Sequence, residues 1–183
     1  MKRLVGLAGI LCAAALSAQS VDGVFATGAV GAVLDGWHEA AAAADEEKYF
    51  SYFTPDAVFL GTDGTERWTR DEFRKWAHPH FAKGKAWSFR TVSRWISFAP
   101  DRTVAWFDEA LDTPNMGPCR GSGVLLRVGE TWKIAQYNLS VPIPNALMPE
   151  FKGRIDAYLK QPPAPAKSEP AKSEPANGYK PKG

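Results

Sequence analysis

A predicted hairpin between Cys119 and Asn145 is the feature that most constrains the fold of this chain. Gly129-Glu130 is a glycine-first pair between two runs rich in Val, Leu, Ile, Trp and Tyr. This composition is typical of a two-residue type II′ turn, because that turn needs glycine at its first central position. The sequence therefore predicts two long antiparallel strands here.

Counting outward from the turn predicts how the two strands pair, because a two-residue loop fixes the register. On one face of the hairpin, two amide side chains then stand opposite two glycines. Such an arrangement would leave room for a ligand. The glycines could equally mark a bulge or a sharp bend. The predicted pairs are Arg127 with Trp132, Leu125 with Ile134, Gly123 with Gln136, and Gly121 with Asn138.

Length and composition predict one domain. The 183 residues are 45% hydrophobic and 12% aromatic, which suffices for one core rather than two. The formal net charge is only +2 at pH 7, and the seven tryptophans do not cluster in a basic stripe. Neither nucleic acid nor an anionic membrane is therefore an expected partner.

The first 18 residues have the composition of a secretory signal peptide. Lys2 and Arg3 precede the apolar run Leu4–Leu16, which is followed by small residues. The run is too short to remain as a membrane span, so we expect cleavage and a periplasmic or secreted protein. Cys12 follows Leu11 instead of the small residue that lipidation prefers. No stable membrane anchor is therefore expected.

The C-terminal 23 residues differ in composition from the rest of the chain. Residues 161–183 contain two near copies of Pro-Ala-Lys-Ser-Glu-Pro and, with the single aromatic Tyr179, have too few large apolar side chains to build a core. We therefore expect a disordered tail. Residues 19–28 are a predicted spacer after the signal peptide, which leaves residues 29–160 for the folded domain.

Hydrophobic periodicity and turn residues predict the remaining elements. Apolar residues recur at three- and four-residue spacing from Val30 to Ala44, which indicates a helix. Asp63-Gly64 is a strong type I′ turn signal. In order, the sequence predicts a helix over Val30–Ala44, a short helix around Tyr49–Phe53, a hairpin over Ala57–Trp68, a helix from the capping box Thr69–Glu72, strands over Trp87–Phe98 and Thr103–Thr113, the central hairpin, and a terminal helix over Leu147–Leu159 that covers the sheet or an edge.

Three carboxylates are candidates for acid–base chemistry. Asp108 and Glu109 point to opposite faces of a predicted strand, so one of them faces inward. Glu66 is predicted to share a face with Phe59 and Trp68. Desolvation there would raise its pKa into a range useful for proton transfer. A salt bridge at the rim, with a nearby arginine, is the alternative for Glu66.

The histidines suggest no metal site. His38 lies two helical turns before Asp45, where it could flank a pocket mouth or act as a solvated or capping residue. His78 and His80 flank Pro79, but no third or fourth ligand follows at a recognisable spacing. We therefore predict neither a metal ion nor a cofactor, and we keep His38 as a catalytic candidate.

The order of these elements resembles the cone-shaped α+β fold of nuclear transport factor two, a cystatin-like fold, and most closely its SnoaL-like relatives. The resemblance covers Ala29–Lys160. It implies a curved antiparallel sheet wrapped around the N-terminal helices. The segments that carry it are FTPDAVFLGTDGTERW (Phe53–Trp68), AWFDEAL (Ala105–Leu111), RGSGVL (Arg120–Leu125) and WKIAQYNLSVPIPN (Trp132–Asn145).

The resemblance implies a pocket between the concave sheet and the helices, and a possible homodimer through the outer sheet face. It does not decide whether the protein is an enzyme, because family members include isomerases, cyclases, dehydratases and binding modules. Gln136 and Asn138 stand where related folds often carry histidines, and amides cannot take a proton at neutral pH. Arg120 would turn inward only if Gly121 forms a bulge, and it could then hold an anionic ligand.

We therefore expect a binding protein for a small, partly apolar organic molecule. A cofactor-free isomerase, cyclase or dehydratase that uses a pocket carboxylate as general base is one alternative, and a protein-interaction module is another. The predicted catalytic candidates are Asp108, Glu109, Glu66 and His38. The predicted ligand-binding residues are Trp68, Trp106, Arg120, Gly121, Gly123, Gln136 and Asn138.

Overall fold

The computed structural model describes residues 26–84 and 86–161, and its elements follow the predicted order. The predicted signal peptide, most of the predicted spacer and the predicted tail beyond residue 161 lie outside the described residues. Residues 26–42 are helical and are named α1. The other elements are α2 (Glu46–Ser51), β1 (Phe53–Leu60), β2 (Arg67–Thr69), α3 (Arg70–Ala82), β3 (Arg90–Phe98), β4 (Val104–Thr113), β5 (Gly117–Val128), β6 (Thr131–Ser140), a 3-10 turn (Asn145–Leu147) and α4 (Met148–Leu159).

Side-chain caps fix where two of the helices begin. The Asp45 carboxylate accepts a hydrogen bond from the Lys48 backbone N–H at 3.0 Å at the start of α2. Thr69 and Glu72 form the predicted capping box of α3, in which each side chain accepts from the other's backbone N–H. None of the helices in the described residues has the length and apolar character needed to cross a membrane.

The six strands form one sheet in the order β2-β1-β6-β5-β4-β3. All neighbouring strands are antiparallel except β1 and β6, which are parallel. The α+β class and the cystatin-like architecture are thus as predicted, with the addition that the curved sheet is mixed. The parallel pair brings β1 beside the end of the central hairpin, although 70 residues of chain separate Leu60 from β6.

One face of the sheet packs on the first three helices. Along β4, alternate residues from Ala105 to Thr113 are buried, while those between them are exposed or partly exposed. This period of two is the pattern of a strand with one covered face. The core is dominated by aromatic rings, and Trp37, Tyr49, Phe73 and Tyr137 are among its largest fully buried side chains.

The central hairpin forms, and its turn has the predicted composition and geometry. Gly129 has a φ of +59°, a left-handed conformation that glycine adopts without strain, whereas Glu130 keeps a negative φ. Arg127 pairs with Trp132 and Leu125 with Ile134, as the count from the turn predicts.

The predicted register is wrong beyond Ile134. Val124 pairs with Gln136, so Ala135 is an extra residue on β6 and forms a bulge. Every later pair is shifted by one residue, which exchanges the two faces of β6 relative to the prediction. Gly123 consequently stands opposite Tyr137, and Gly121 stands opposite Leu139.

The C-terminal unit begins at Ile143 and contains the 3-10 turn and α4, so the predicted terminal helix is present. None of the residues of α4 is buried. Two ion pairs at four-residue spacing support the helix, Lys152 with Asp156 at 2.5 Å and Arg154 with Glu150 at 3.0 Å.

Candidate functional site

A cavity of about 260 Å³ lies between the β1–β2 hairpin, α3 and the far end of β6. Among the described residues, most of its wall is aromatic or aliphatic, and three polar side chains reach it. This is the composition of a small-molecule site, in which apolar walls supply contact area and a few polar groups fix orientation. The lining residues are Phe59, Gly61, Thr62, Glu66, Trp68, Phe73, Trp76, Trp87, Phe89, Asn115, Met116 and Leu139.

Near-parallel rings form one wall of this cavity. Phe59 and Phe73 stack with their centroids 3.8 Å apart, and Trp68 lies 5.7 Å from Phe73 at an interplanar angle of 16°. Trp76 continues the series, with its ring 5.2 Å from that of Trp68. Stacked rings resist rotation, so the wall is shaped before any ligand arrives. Trp68 is thus a predicted ligand-binding residue that does line the cavity.

Glu66 is the only carboxylate among the described residues that line the cavity. The Gly61 N–H donates to the Glu66 carbonyl at 2.9 Å, and the Asp63 N–H donates to Glu66 Oε2 at 3.1 Å. The Glu66 side chain therefore folds over Gly61, where a Cβ would collide with it. No salt bridge joins Glu66 to Arg67 or Arg70 within the described residues, and Arg70 pairs with Asp71 instead.

A second group of ionisable side chains lies beside the cavity, around the buried Glu109. Glu109 is 1% exposed and receives Arg94 on Oε2 and His38 on Oε1, both at 2.8 Å. Arg94 also donates to the exposed Asp35 at 2.7 Å and to the backbone carbonyl of Gly31 at 3.3 Å. We call Asp35, His38, Arg94 and Glu109 the ionic cluster. It joins α1 to strands β3 and β4.

The interactions within the cluster offset the effect of burial on Arg94. Burial alone would lower the pKa of Arg94, but the charge of Glu109 and hydrogen bonds to Asp35 and Glu109 outweigh it, so that pKa is raised. Tyr137 lies next to the cluster with an Oη that makes no hydrogen bond within the described residues. Burial, followed by the nearby charge of Glu109, raises the pKa of Tyr137 well above its ordinary value.

The cluster lies behind the cavity wall and does not line the cavity. The His38 ring is 5.7 Å from the ring of Phe89, which does line the cavity. Of the two acids predicted to lie on opposite faces of β4, Glu109 faces the core and Asp108 faces outward. His38 is buried at 7% exposure, in contact with the aromatic core, and is not a solvated residue.

Five predicted site residues lie on the outer face of the sheet and do not contact the cavity. Asp108, Ser122 and Asn138 form one row across β4, β5 and β6. Trp106 is 48% exposed and pairs with Val124, which pairs with Gln136. The bulge at Ala135 is the physical cause for the two amides, since it turns them outward. The five residues are Trp106, Asp108, Arg120, Gln136 and Asn138.

Gly121 and Gly123 do face inward, but they meet core atoms and leave no space for a ligand. A Cβ on Gly121 would lie 2.5 Å from Tyr137 Oη and 3.0 Å from Glu109. A Cβ on Gly123 would collide with the Gln136 carbonyl oxygen and lie 2.9 Å from Phe107. The two glycines are needed for close packing, which corrects the prediction that they clear a binding site.

A larger depression of about 490 Å³ lies on the surface over α2 and α3, but its lining is entirely charged or ionisable. Arg74 and His78 both bond Glu46, at 2.8 and 2.7 Å. Burial acts to raise the pKa of Glu46, and these two hydrogen bonds lower it further than burial raises it. Glu46, Arg74 and His78 are thus paired with one another, so the aromatic cavity is the better candidate site. Its lining residues are Glu46, Asp71, Arg74, Lys75 and His78.

Metal ligation finds no support in the described part of the chain, where no three His, Cys, Asp or Glu side chains are grouped closely enough to hold an ion. Sequence reasoning did not single out Trp76, Trp87, Phe89 or Arg94 as site residues. Arg94 could have been found from its charge, which is opposite to that of Glu109, its direct neighbour on the adjacent strand. That pairing depends on the β3–β4 loop, whose conformation the sequence does not specify.

Comparisons with known proteins agree with the observed fold. A family described as a SnoaL-like domain matches residues 30–144. No protein with a curated description matches the chain. Among solved structures, a nuclear transport factor two-like protein of unknown function from Pseudomonas putida is 13% identical, with 63% of this chain and 86% of that chain covered and a TM-score of 0.54.

Two further solved structures share the fold. A proposed scytalone dehydratase from Novosphingobium aromaticivorans is 12% identical, with 68% of this chain and 89% of that chain covered and a TM-score of 0.58. A proposed dehydratase of the same superfamily from Streptomyces avermitilis is 17% identical, with 63% and 95% covered and a TM-score of 0.55. At these identities the likeness concerns the fold alone.

Proposed function

Because the chain belongs to the SnoaL-like domain family, whose fold serves several unrelated functions, we propose that it binds a small, partly apolar organic molecule in the aromatic cavity. The observation that carries the proposal is the composition of that cavity, in which Thr62, Glu66 and Asn115 are the polar side chains among otherwise apolar or glycine walls. A site of about 260 Å³ is slightly smaller than the roughly 300 Å³ at which drug-sized sites begin. The ligand is accordingly small.

The cavity walls support reversible binding. Trp68, Trp76 and Trp87 are each only partly buried in the protein, so a ligand can cover ring surface that now faces solvent. Covering apolar surface stabilises a complex by roughly 25 cal/mol for each Å² removed from water. The stacked arrangement of the rings means that little side-chain freedom is lost when the ligand enters.

Thr62→Trp is expected to fill the mouth of the cavity and weaken uptake of a neutral aromatic probe, 2-naphthol, by at least about tenfold. Thr62 is exposed and lines the cavity, so a large side chain there meets the ligand and leaves the core intact. Isothermal titration calorimetry measures the affinity. Val128→Trp is the matched control, because Val128 is 51% exposed and lies outside the lining.

The binding proposal fails if wild-type protein takes up neither 2-naphthol nor a small organic cation such as choline, or if Thr62→Trp binds 2-naphthol as tightly as wild type and Val128→Trp do. The proposal also includes export, as residues 1–18 predict, and a homodimer through the outer sheet face, where Trp95 and Trp106 are 61% and 48% exposed. It includes neither a cofactor nor a nucleic-acid partner.

A cofactor-free isomerase, cyclase or dehydratase is a second candidate, favoured by one carboxylate on an aromatic cavity wall. Glu66 occupies the position that a general base needs, next to any ligand in the cavity. The two proposed dehydratases that share the fold point in the same direction. Asn138 and Arg120 cannot stabilise an oxyanion in this cavity, because both lie on the outer face of the sheet.

Proton exchange distinguishes the enzyme from the binding protein. With 2-tetralone in deuterated buffer, an enzyme that uses Glu66 should accelerate exchange of the protons next to the carbonyl, as followed by NMR. Glu66→Gln should then lose about 100-fold or more of the acceleration, while Glu130→Gln, in the exposed β5–β6 turn, keeps it. Exchange at the buffer rate in wild type would exclude Glu66 as a base for this ketone.

A further inference from the structure

The cavity has a distinct electrostatic character, because its only formal charge among the described lining residues is negative. Glu66 supplies that charge, and no lysine, arginine or histidine of the described residues lines the cavity with it. Thr62 and Asn115, the remaining polar side chains, are neutral. An anionic ligand would be repelled by Glu66 and would find no cationic partner among the described residues of this wall.

The aromatic rings add to the negative potential. Six of the described lining residues are aromatic, and the π-face of an aromatic ring carries partial negative charge. Phe59 and Phe73 are buried against each other, so the partly exposed tryptophans offer the ring surface that a ligand can reach. Cations placed over Trp, Tyr or Phe rings are attracted by this charge, and quaternary ammonium groups are commonly bound by aromatic cages. The six are Phe59, Trp68, Phe73, Trp76, Trp87 and Phe89.

We propose that the cavity selects a small organic cation, of the quaternary or alkylated ammonium class. This inference rests on the proposed binding function and adds the charge of the ligand to it. The alkyl groups of such a cation would contact the rings, while its charge would lie near Glu66. A ligand that expels water from around Glu66 without supplying a positive charge would leave a carboxylate desolvated among aromatic rings, which opposes binding.

The position of Glu66 suits this role. The hydrogen bond from the Asp63 backbone N–H to Oε2 holds the carboxylate at the cavity wall, and Gly61 leaves room for it there. Arg70, which is close in sequence, is paired with Asp71 at 2.9 Å. The negative charge of Glu66 is thus presented to the cavity.

Choline and 3,3-dimethylbutan-1-ol form a matched pair of probes, since they share size and shape and differ in one positive charge. Isothermal titration calorimetry should show that wild-type protein binds choline at least about tenfold more tightly than the neutral alcohol. Glu66→Gln should lower choline affinity about tenfold and leave the affinity for the alcohol within about twofold. Glu130→Gln removes an acid that lies outside the cavity, so it should change neither affinity.

A second variant separates the rings from the carboxylate. Trp76→Leu keeps an apolar side chain in the wall but removes one π-system, so choline should lose about threefold or more in affinity while the alcohol loses less. Far-ultraviolet circular dichroism of Glu66→Gln and Trp76→Leu checks that both variants are folded. If one is not, the comparison of choline with the neutral alcohol on wild-type protein alone still decides the question.

The outcomes keep this inference apart from the binding proposal. If the alcohol binds as tightly as choline, selection for a cation is overturned and the cavity is a site for neutral ligands. If choline binds more tightly than the alcohol but its affinity is unchanged in Glu66→Gln, the assignment of Glu66 as the partner of the cation is overturned. If wild type takes up 2-naphthol but does not bind choline, selection for a cation is likewise overturned. If wild type binds none of the three probes, both the inference and the binding function fail.

Discussion

Glu109→Gln is expected to destabilise the protein by about 3–5 kcal/mol, because it removes the negative charge that faces two buried partners. Arg94 and His38 both bond this carboxylate at 2.8 Å, and Glu109 itself is 1% exposed. A glutamine cannot balance the positive charge of Arg94, for which only Asp35 would remain. Urea unfolding, monitored by tryptophan fluorescence, measures the loss of free energy.

Asp108→Asn is the matched control for this substitution. Asp108 is the neighbouring acid on the same strand, but it faces outward and is exposed. We expect a change of less than about 0.5 kcal/mol, as is usual for surface positions without special contacts. Equal effects of the two substitutions would contradict the assignment of Glu109 to the core face of β4.

Gly123→Ala is expected to destabilise the protein by about 1–3 kcal/mol or more, because the added methyl group has no room. Its Cβ would collide with the Gln136 carbonyl oxygen, which belongs to the backbone of β6 and cannot rotate away. Phe107, 2.9 Å from the same position, closes the other side. The shift of the thermal or urea unfolding midpoint measures the effect.

Gly31→Ala should have the opposite sign. Gly31 lies within α1, and an added Cβ would meet nothing within 4 Å. Glycine inside a helix costs roughly 0.5–1 kcal/mol relative to alanine, so this substitution should stabilise the protein by that amount.

A Gly123→Ala protein as stable as wild type would contradict the observed packing and would support the register in which Gly123 borders an empty site.

The sequence predicts those parts of the fold that depend on local chemistry. The type II′ turn needs only Gly129 in the right place, and the capping box of α3 needs only Thr69 and Glu72. Phe59 also pairs with Trp68 as predicted. Each of these features is decided within a few residues, so side-chain identity is sufficient evidence. The type I′ turn predicted at Asp63-Gly64 is wrong, however, because neither residue has a positive φ and the turn hydrogen bond runs from the Glu66 N–H to the Asp63 carbonyl.

The features that the sequence does not reveal depend on contacts between distant segments. Ala135 has no property that marks it as a bulge, and the bulge is what places Tyr137 rather than Gln136 opposite Gly123. The parallel pairing of β1 with β6 is likewise a long-range contact. Because of the bulge, Gln136 and Asn138, the amides expected in the site, lie on the outer face of the sheet.

The candidate site was predictable only in part, for the same physical reason. Glu66 and Trp68 belong to a local hairpin, and both line the cavity as their strand positions suggest. Trp87 and Phe89 reach the cavity from the segment before β3, and Leu139 reaches it from β6. No local pattern brings these two segments together, since their meeting depends on how α3 and the sheet pack.

Native mass spectrometry of the protein, purified from expressing cells, tests the central claim most directly. If the aromatic cavity is a ligand site, wild type and Val128→Trp should retain a small molecule that Thr62→Trp does not. A protein that carries no such molecule, or a Thr62→Trp variant that carries it at the same occupancy as wild type, would contradict the claim.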